Sequence, residues 1–108
     1  MKSGNETAIV KACLQLLHVR GVAAWRNNSG ALPVGKRFVR FGTPGSSDIL
    51  GLLAPSGRLL AVECKTATGR LSEAQRTFLG IVTAAGGLAL VVRDVAQLDE
   101  ALRLEGVA

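Results

Sequence analysis

Ile49-Leu50-Gly51-Leu52-Leu53-Ala54-Pro55-Ser56-Gly57-Arg58-Leu59-Leu60-Ala61-Val62-Glu63-Cys64-Lys65 is two apolar runs joined by a short turn-forming segment. Apolar runs of this length bounded by proline and glycine predict a β-hairpin, Ile49 to Ala54 against Arg58 to Lys65, with Pro55-Ser56-Gly57 as the turn. Both runs are apolar at nearly every position, which predicts a sheet covered on both faces. Side chains alternate across a strand, so Glu63 and Lys65 share one face and Cys64 points to the other. An acid and a lysine at the end of an apolar strand are costly to bury unless they are paired or solvated in a cleft. A surface ion pair at the strand end is the simpler account of a bare Glu-x-Lys.

Asp48 changes the weighing. It stands just before the first strand, behind the turn-rich Gly42-Thr43-Pro44-Gly45-Ser46-Ser47. Counting back from the turn sets it opposite Glu63 to Lys65. A strict three-residue loop pairs it with Cys64 and turns it to the wrong face; a bulge at Gly57 or a bend at Asp48 brings it beside Glu63. Two adjacent carboxylates repel unless a proton or a cation lies between them. Mg²⁺ takes hard oxygen ligands and keeps several waters, and the Cys64 carbonyl can supply another oxygen. Such an ion polarises a phosphoryl oxygen and makes water more acidic, while Lys65 can orient the water or offset transition-state charge. One hairpin can therefore assemble a phosphodiester-hydrolysis site.

Outward from the hairpin, Ile9, Val10, Cys13, Leu14 and Leu17 recur at helical spacing and predict a first helix from about Asn5 to Val19. Ser3 and Glu6 have the capping-box pattern, and Gly21 suits the stop. Val22 to Arg26 reads as a short strand and Asn27-Asn28-Ser29-Gly30 as a turn. Residues 31–47 are broken by Pro33, Gly35, Gly42, Pro44 and Gly45 and read as a loop, with room for a short strand at Arg37 to Phe41. A second helix is expected from about Ser72 to Ala85, then a strand over Leu88 to Arg93. A last helix, capped by Asp94 or a neighbour, runs to about Leu104. The order is α-β-β-β-α-β-α. Gln75 falls on the apolar stripe of Leu71, Phe78, Leu79 and Val82, where it serves as a site residue, as the N3 member of a Ser72-x-x-Gln75 capping box, or as both. Glu6, on the buried stripe of the first helix, has the same two readings.

The chain of 108 residues suits one domain, 48% of it is apolar, and no apolar run is long enough for a membrane span. The polar N-terminus does not read as a signal peptide. Cys13 and Cys64 read as reduced, buried thiols of a cytoplasmic protein. The net charge is +5, which favours a polyanionic partner. Arg26, Lys36, Arg37 and Arg40 fall in a stretch with no acid between Glu6 and Asp48. They, with Asn28 and Arg70 on predicted turns, are candidate nucleic-acid contacts; ordinary solvated loop chemistry explains them as well. His18 reads as a surface residue near a helix end, and Trp25 as a core or interface residue.

These residues resemble a known family. Asp48 followed by Glu63-Cys64-Lys65 matches the PD-(D/E)-x-K pattern of the restriction-endonuclease-like superfamily, with Ser47 in place of the usual proline. The longer string is more specific: Gly45-Ser46-Ser47-Asp48-Ile49-Leu50-Gly51, then Val62-Glu63-Cys64-Lys65, then Gly69-Arg70-Leu71-Ser72 and Gln75. It is similar to the VRR-NUC branch, the virus-type replication-repair nucleases, in its small stand-alone phage and bacterial form. The resemblance spans Glu6 to about Arg93. It implies an α/β, restriction-endonuclease-like fold with a mixed central sheet flanked by helices, in one domain over residues 1–108. It implies a Mg²⁺- or Mn²⁺-dependent DNA endonuclease with Asp48 and Glu63 as metal ligands and Lys65 as the catalytic lysine. Gln75 matches the family's glutamine, and Glu6 the acid of its first helix. Small members resemble Holliday-junction resolvases, so a homodimer acting on branched DNA in repair is expected. A non-catalytic nucleic-acid-binding module on the same fold and an RNA-directed nuclease are the alternatives.

Overall fold

A computed structural model describes residues 4–28 and 30–107, with the side chains of residues 30, 31 and 39–41 outside that description. The elements run α1 (Gly4–Val19), β1 (Ala23–Arg26), β2 (Gly30–Val34), β3 (Arg37–Phe41), β4 (Ile49–Leu53), β5 (Arg58–Cys64), α2 (Glu73–Ala84), β6 (Leu88–Val92) and α3 (Val95–Leu104). One sheet has the order β1-β4-β5-β6, and β2 and β3 form a separate ribbon. Pairing is antiparallel from β1 to β5 and parallel between β5 and β6. The sheet is thus mixed, and the parallel step is bridged by α2, as such a crossover requires. No helix among the described residues is long and apolar enough to cross a membrane.

The alternation of β5 divides the molecule into layers. Leu60, Val62 and Cys64 point to the face that Val10, Cys13 and Leu17 of α1 and Leu98 and Leu102 of α3 fill. Each fully buried leucine of this core contributes about 2 kcal/mol by leaving water. Glu63 points to the other face, where Gln75 of α2 reaches it. Both later helices start as the sequence predicts. Ser72 and Gln75 form a complete capping box, and the Asp94 side chain accepts from the Gln97 N–H. The first helix has Glu6 in its opening turn; Ser3, its expected capping partner, lies outside the described residues.

Three expectations need correction. The segment after β1 is not a loop with at most one strand. Val34 pairs with Arg37 across a two-residue turn, and Gly35 there has φ 62°. A positive φ at the first turn position suits a tight hairpin. Pro33 sits within β2, which a strand with a neighbour on one side only tolerates because the missing N–H can face outward. Second, the sheet is covered on both faces only around β5; Trp25 of β1 is 46% exposed and Leu52 of β4 is 45% exposed. The area spanned by α2 ends before β1, so Trp25 is not core. Third, the β4–β5 connection has four residues, 54–57, since Leu53 pairs with Arg58.

Candidate active site

The four-residue connection decides where Asp48 lies. Ile49 pairs with Val62, so the preceding residue, Asp48, stands opposite Glu63 and neither a bulge at Gly57 nor a slipped register is needed. Asp48 sits at a bend just before β4, and its Oδ2 accepts the Cys64 backbone N–H at 2.8 Å. Across the sheet its carbonyl oxygen accepts the Asn27 N–H at 2.7 Å. Its backbone and its carboxylate are thereby held from both neighbouring strands.

Glu63 is 1% exposed and Lys65 is 9% exposed. A carboxylate at that depth needs polar partners, and Gln75 Nε2 donates to Glu63 Oε2 at 3.0 Å. The same Gln75 accepts the Ser72 N–H through Oε1, also within the capping box. One side chain therefore makes both contacts: its oxygen caps the helix and its nitrogen bonds the acid. The Lys65 backbone N–H donates to the Val92 carbonyl at 3.0 Å, which extends the parallel pairing one residue past Cys64.

Glu6, Arg26, Asn28, Asp48, Glu63, Lys65 and Gln75 line a single cleft of about 470 Å³ at this end of the sheet. Of the residues predicted for the site, Lys36, Arg37 and Arg70 are exposed but do not line it. The Arg40 side chain lies outside the described residues. A cavity of about 540 Å³ at the opposite end of the sheet includes Arg20 and Arg58. Their guanidiniums are engaged by Asp99 and Glu105 respectively, so its cations serve the fold.

Two residues shape the cleft in ways the spacing did not indicate. Asn27, read as a turn residue, donates through Nδ2 to Ser46 Oγ at 2.8 Å and to the Ser47 carbonyl at 3.0 Å. It fastens the approach to Asp48. Arg93 Nη1 donates to the Thr66 and Gly69 carbonyls, fastening the loop between Lys65 and α2. A cation directly after a buried strand was the one signal for it. Gly45 completes the frame. It has φ +76°, and a Cβ there would lie 2.4 Å from the Ala74 backbone. The approach loop is thus seated directly on the first turn of α2. His18 is exposed and bonds the Ala24 carbonyl, in line with a surface role.

Cys64 lies on the core side, against Cys13; both are buried thiols outside any disulfide. The hydrogen bond with Cys13 and then burial push the Cys64 thiol above its ordinary range, so it is a neutral packing residue. The side-chain donors on the cleft side are all hard. Among the described residues no three His, Cys, Asp or Glu side chains come together to cage a metal. A pair of carboxylates opening on one cleft fits Mg²⁺, which is held by one or two carboxylates and otherwise by water and substrate oxygens. Glu6 borders the cleft from α1 without joining that pair as a third clustered acid.

Comparison with known proteins agrees with this architecture. The family model for the VRR-NUC domain matches residues 5–96. A solved structure described as a VRR_NUC domain superimposes with a TM-score of 0.67 at 20% identity, over 94% of this chain and 97% of that one. At that identity the likeness establishes the fold. No curated protein matches the chain.

Proposed function

This chain belongs to the VRR-NUC domain family, and on that premise we propose that it is a metal-dependent endonuclease that hydrolyses phosphodiester bonds of branched DNA in the Asp48–Glu63–Lys65 cleft. The observation that carries the reading is the convergence of these three side chains with Gln75 on one cleft. Asp48 and Glu63 would hold the ion, Mg²⁺ or Mn²⁺. In a strand the N–H and C=O of a residue point the same way. The Cys64 carbonyl therefore faces the side from which Asp48 takes the Cys64 N–H, which supports it as a third oxygen ligand. The ion, when bound, polarises the phosphoryl oxygen and acidifies water.

The chain's own residues do the rest. Lys65, which lines the cleft, orients the attacking water or offsets the negative charge that grows on the phosphoryl oxygens. Gln75 holds Glu63 in one orientation through Nε2. Asn27 and Asp48 share backbone pairing, which holds the main chain that carries the carboxylate. Arg26 and Asn28 at the rim of the cleft, and Lys36, Arg37 and Arg70 further out, bind phosphates; Arg40 is assigned the same role from the sequence. Glu6 acts from the rim as a further acid at the site. Binding should weaken steeply with salt because each neutralised phosphate releases counterions. The uncovered face around Trp25 and Leu52 supports a homodimer, which paired cuts at a four-way junction would use. Reduced, buried thiols and a DNA substrate suit the cytoplasm.

The test is a panel of linear duplex, single-stranded, flap, splayed and four-way-junction DNA, with a structured RNA, each with and without Mg²⁺ or Mn²⁺. Cleavage of branched DNA that needs the ion and is abolished by Glu63→Ala and Lys65→Ala is expected. Undiminished cutting by Lys65→Ala sinks the role of that residue. Cleavage of RNA alone transfers the chemistry to another substrate, and tight binding without cutting makes the chain a docking module.

A further inference from the structure

The β2–β3 ribbon is unexplained by catalysis. Among the described residues each of its strands packs chiefly on the other. The described residues extend over 48 × 28 × 23 Å, and five-residue strands span about 17 Å. A two-stranded ribbon without a third layer is marginally stable alone, and this one exposes apolar side chains: Leu32 is 57%, Val34 58% and Phe38 76% exposed. Both of its ends are rooted at the cleft. Asn27 and Asn28 lead into it, and Gly45 and Ser46 follow it, and all four line the site.

Charge decides between occupants. The ribbon carries Lys36, Arg37 and Arg40, and no acid occurs between Glu6 and Asp48. Two ribbons laid together would oppose like charges, whereas a nucleic-acid backbone complements them. Phosphates alone have no use for an exposed aromatic ring, but an unstacked base does. Bases stack on aromatic side chains, and apolar wedges enter opened base steps.

We propose that the ribbon is the element that recognises a discontinuity in DNA: Phe38 stacks on the base exposed at a branch, while Lys36 and Arg37 hold the flanking phosphates. This rests on the nuclease reading of the adjoining cleft and adds the feature of the substrate that is read. Phe38 pairs with Pro33 across the ribbon, so the two side chains share one face. Lys36 lies in the turn at the tip, and Arg37, paired with Val34, projects from the opposite face of the ribbon, so the two cations flank the ring on the turn side and on the reverse face.

The experiment uses the full chain in chelator, where no cutting occurs, with fluorescence anisotropy on four-way-junction, splayed and linear duplex DNA. A fluorescent base analogue at the branch reports stacking. Phe38→Ala should weaken branched DNA about tenfold, from the typical worth of one stacked base, abolish quenching of the analogue, and leave linear duplex unchanged. Phe38→Trp should restore both, and Phe38→Leu, which keeps apolar area, should restore neither. Lys36→Ala and Arg37→Ala should weaken all DNAs alike and each lower the salt slope by about 1. Unchanged discrimination by Phe38→Ala in a protein that still cuts branched DNA overturns the inference alone. A change of oligomeric mass in that variant also overturns it and assigns the ribbon to self-association. Wild-type protein that binds no DNA overturns this inference and the nuclease reading together.

Discussion

Replacing Gly45 by alanine tests whether the approach to Asp48 is seated on α2. The added Cβ would lie 2.4 Å from the Ala74 carbonyl carbon and oxygen, where ordinary contact begins at 3.4 Å. The overlap is about 1 Å against backbone, which cannot rotate away, and overpacking of this kind costs about 2 kcal/mol. The φ of +76° adds strain of about 1 kcal/mol for a residue with a Cβ. Gly57 supplies the control, because it has φ +78° with nothing within 4 Å. At about 4 °C per kcal/mol for a domain of this size, Gly57→Ala should lower Tm by about 4 °C and Gly45→Ala by about 12 °C. The loop can relieve the overlap only by lifting from Ala74, which moves Asp48 relative to Glu63 and Gln75. A shift of about 1 Å in a catalytic group lowers rates roughly 100-fold. Thermal melts read the first effect, and single-turnover cleavage below the lower transition reads the second. Equal melting shifts for the two variants, or wild-type cleavage by Gly45→Ala, would refute the seating argument.

Ser47 is buried and its hydroxyl has no hydrogen-bond partner among the described residues, so Ser47→Ala should leave stability unchanged or raise it by up to about 1 kcal/mol; a loss of that size in denaturant titration would mean that the hydroxyl is bonded. The two tasks of Gln75 can be separated. Ser72→Ala should cost about 1 kcal/mol through the lost cap and leave Glu63 held. Gln75→Glu retains a capping-box residue but sets a carboxylate against Glu63. Its metal-free Tm should therefore fall at neutral pH and recover as the pH is lowered and protonation removes the repulsion. A pH-independent loss would reduce Gln75 to a helix cap.

The hairpin, α2, β6, α3 and their caps were legible because local rules decide them. Apolar runs of strand length, Ser72-x-x-Gln75 and Asp94 before a helix act within a few residues. The ribbon was not legible, since Pro33 and Gly35 are loop signals whose effect depends on whether a strand has one neighbour or two. Asn27 and Arg93 were not legible as fasteners, because their partners lie on segments distant in sequence.

The Asp48–Glu63–Lys65 cluster shows the same division. Residue types and spacing set which groups could act, and alternation along β5 set Glu63 and Lys65 on one face. Whether Asp48 joined them depended on the connection at residues 54–57, where one residue more or fewer reverses the facing of everything before it. The same holds for Gln75, whose cap is local but whose bond to Glu63 exists only because α2 crosses the sheet there. Sequence determined the chemistry available. Tertiary structure decided which of those groups meet, because side-chain direction follows from pairing register and helix placement, and both are set by contacts between distant segments.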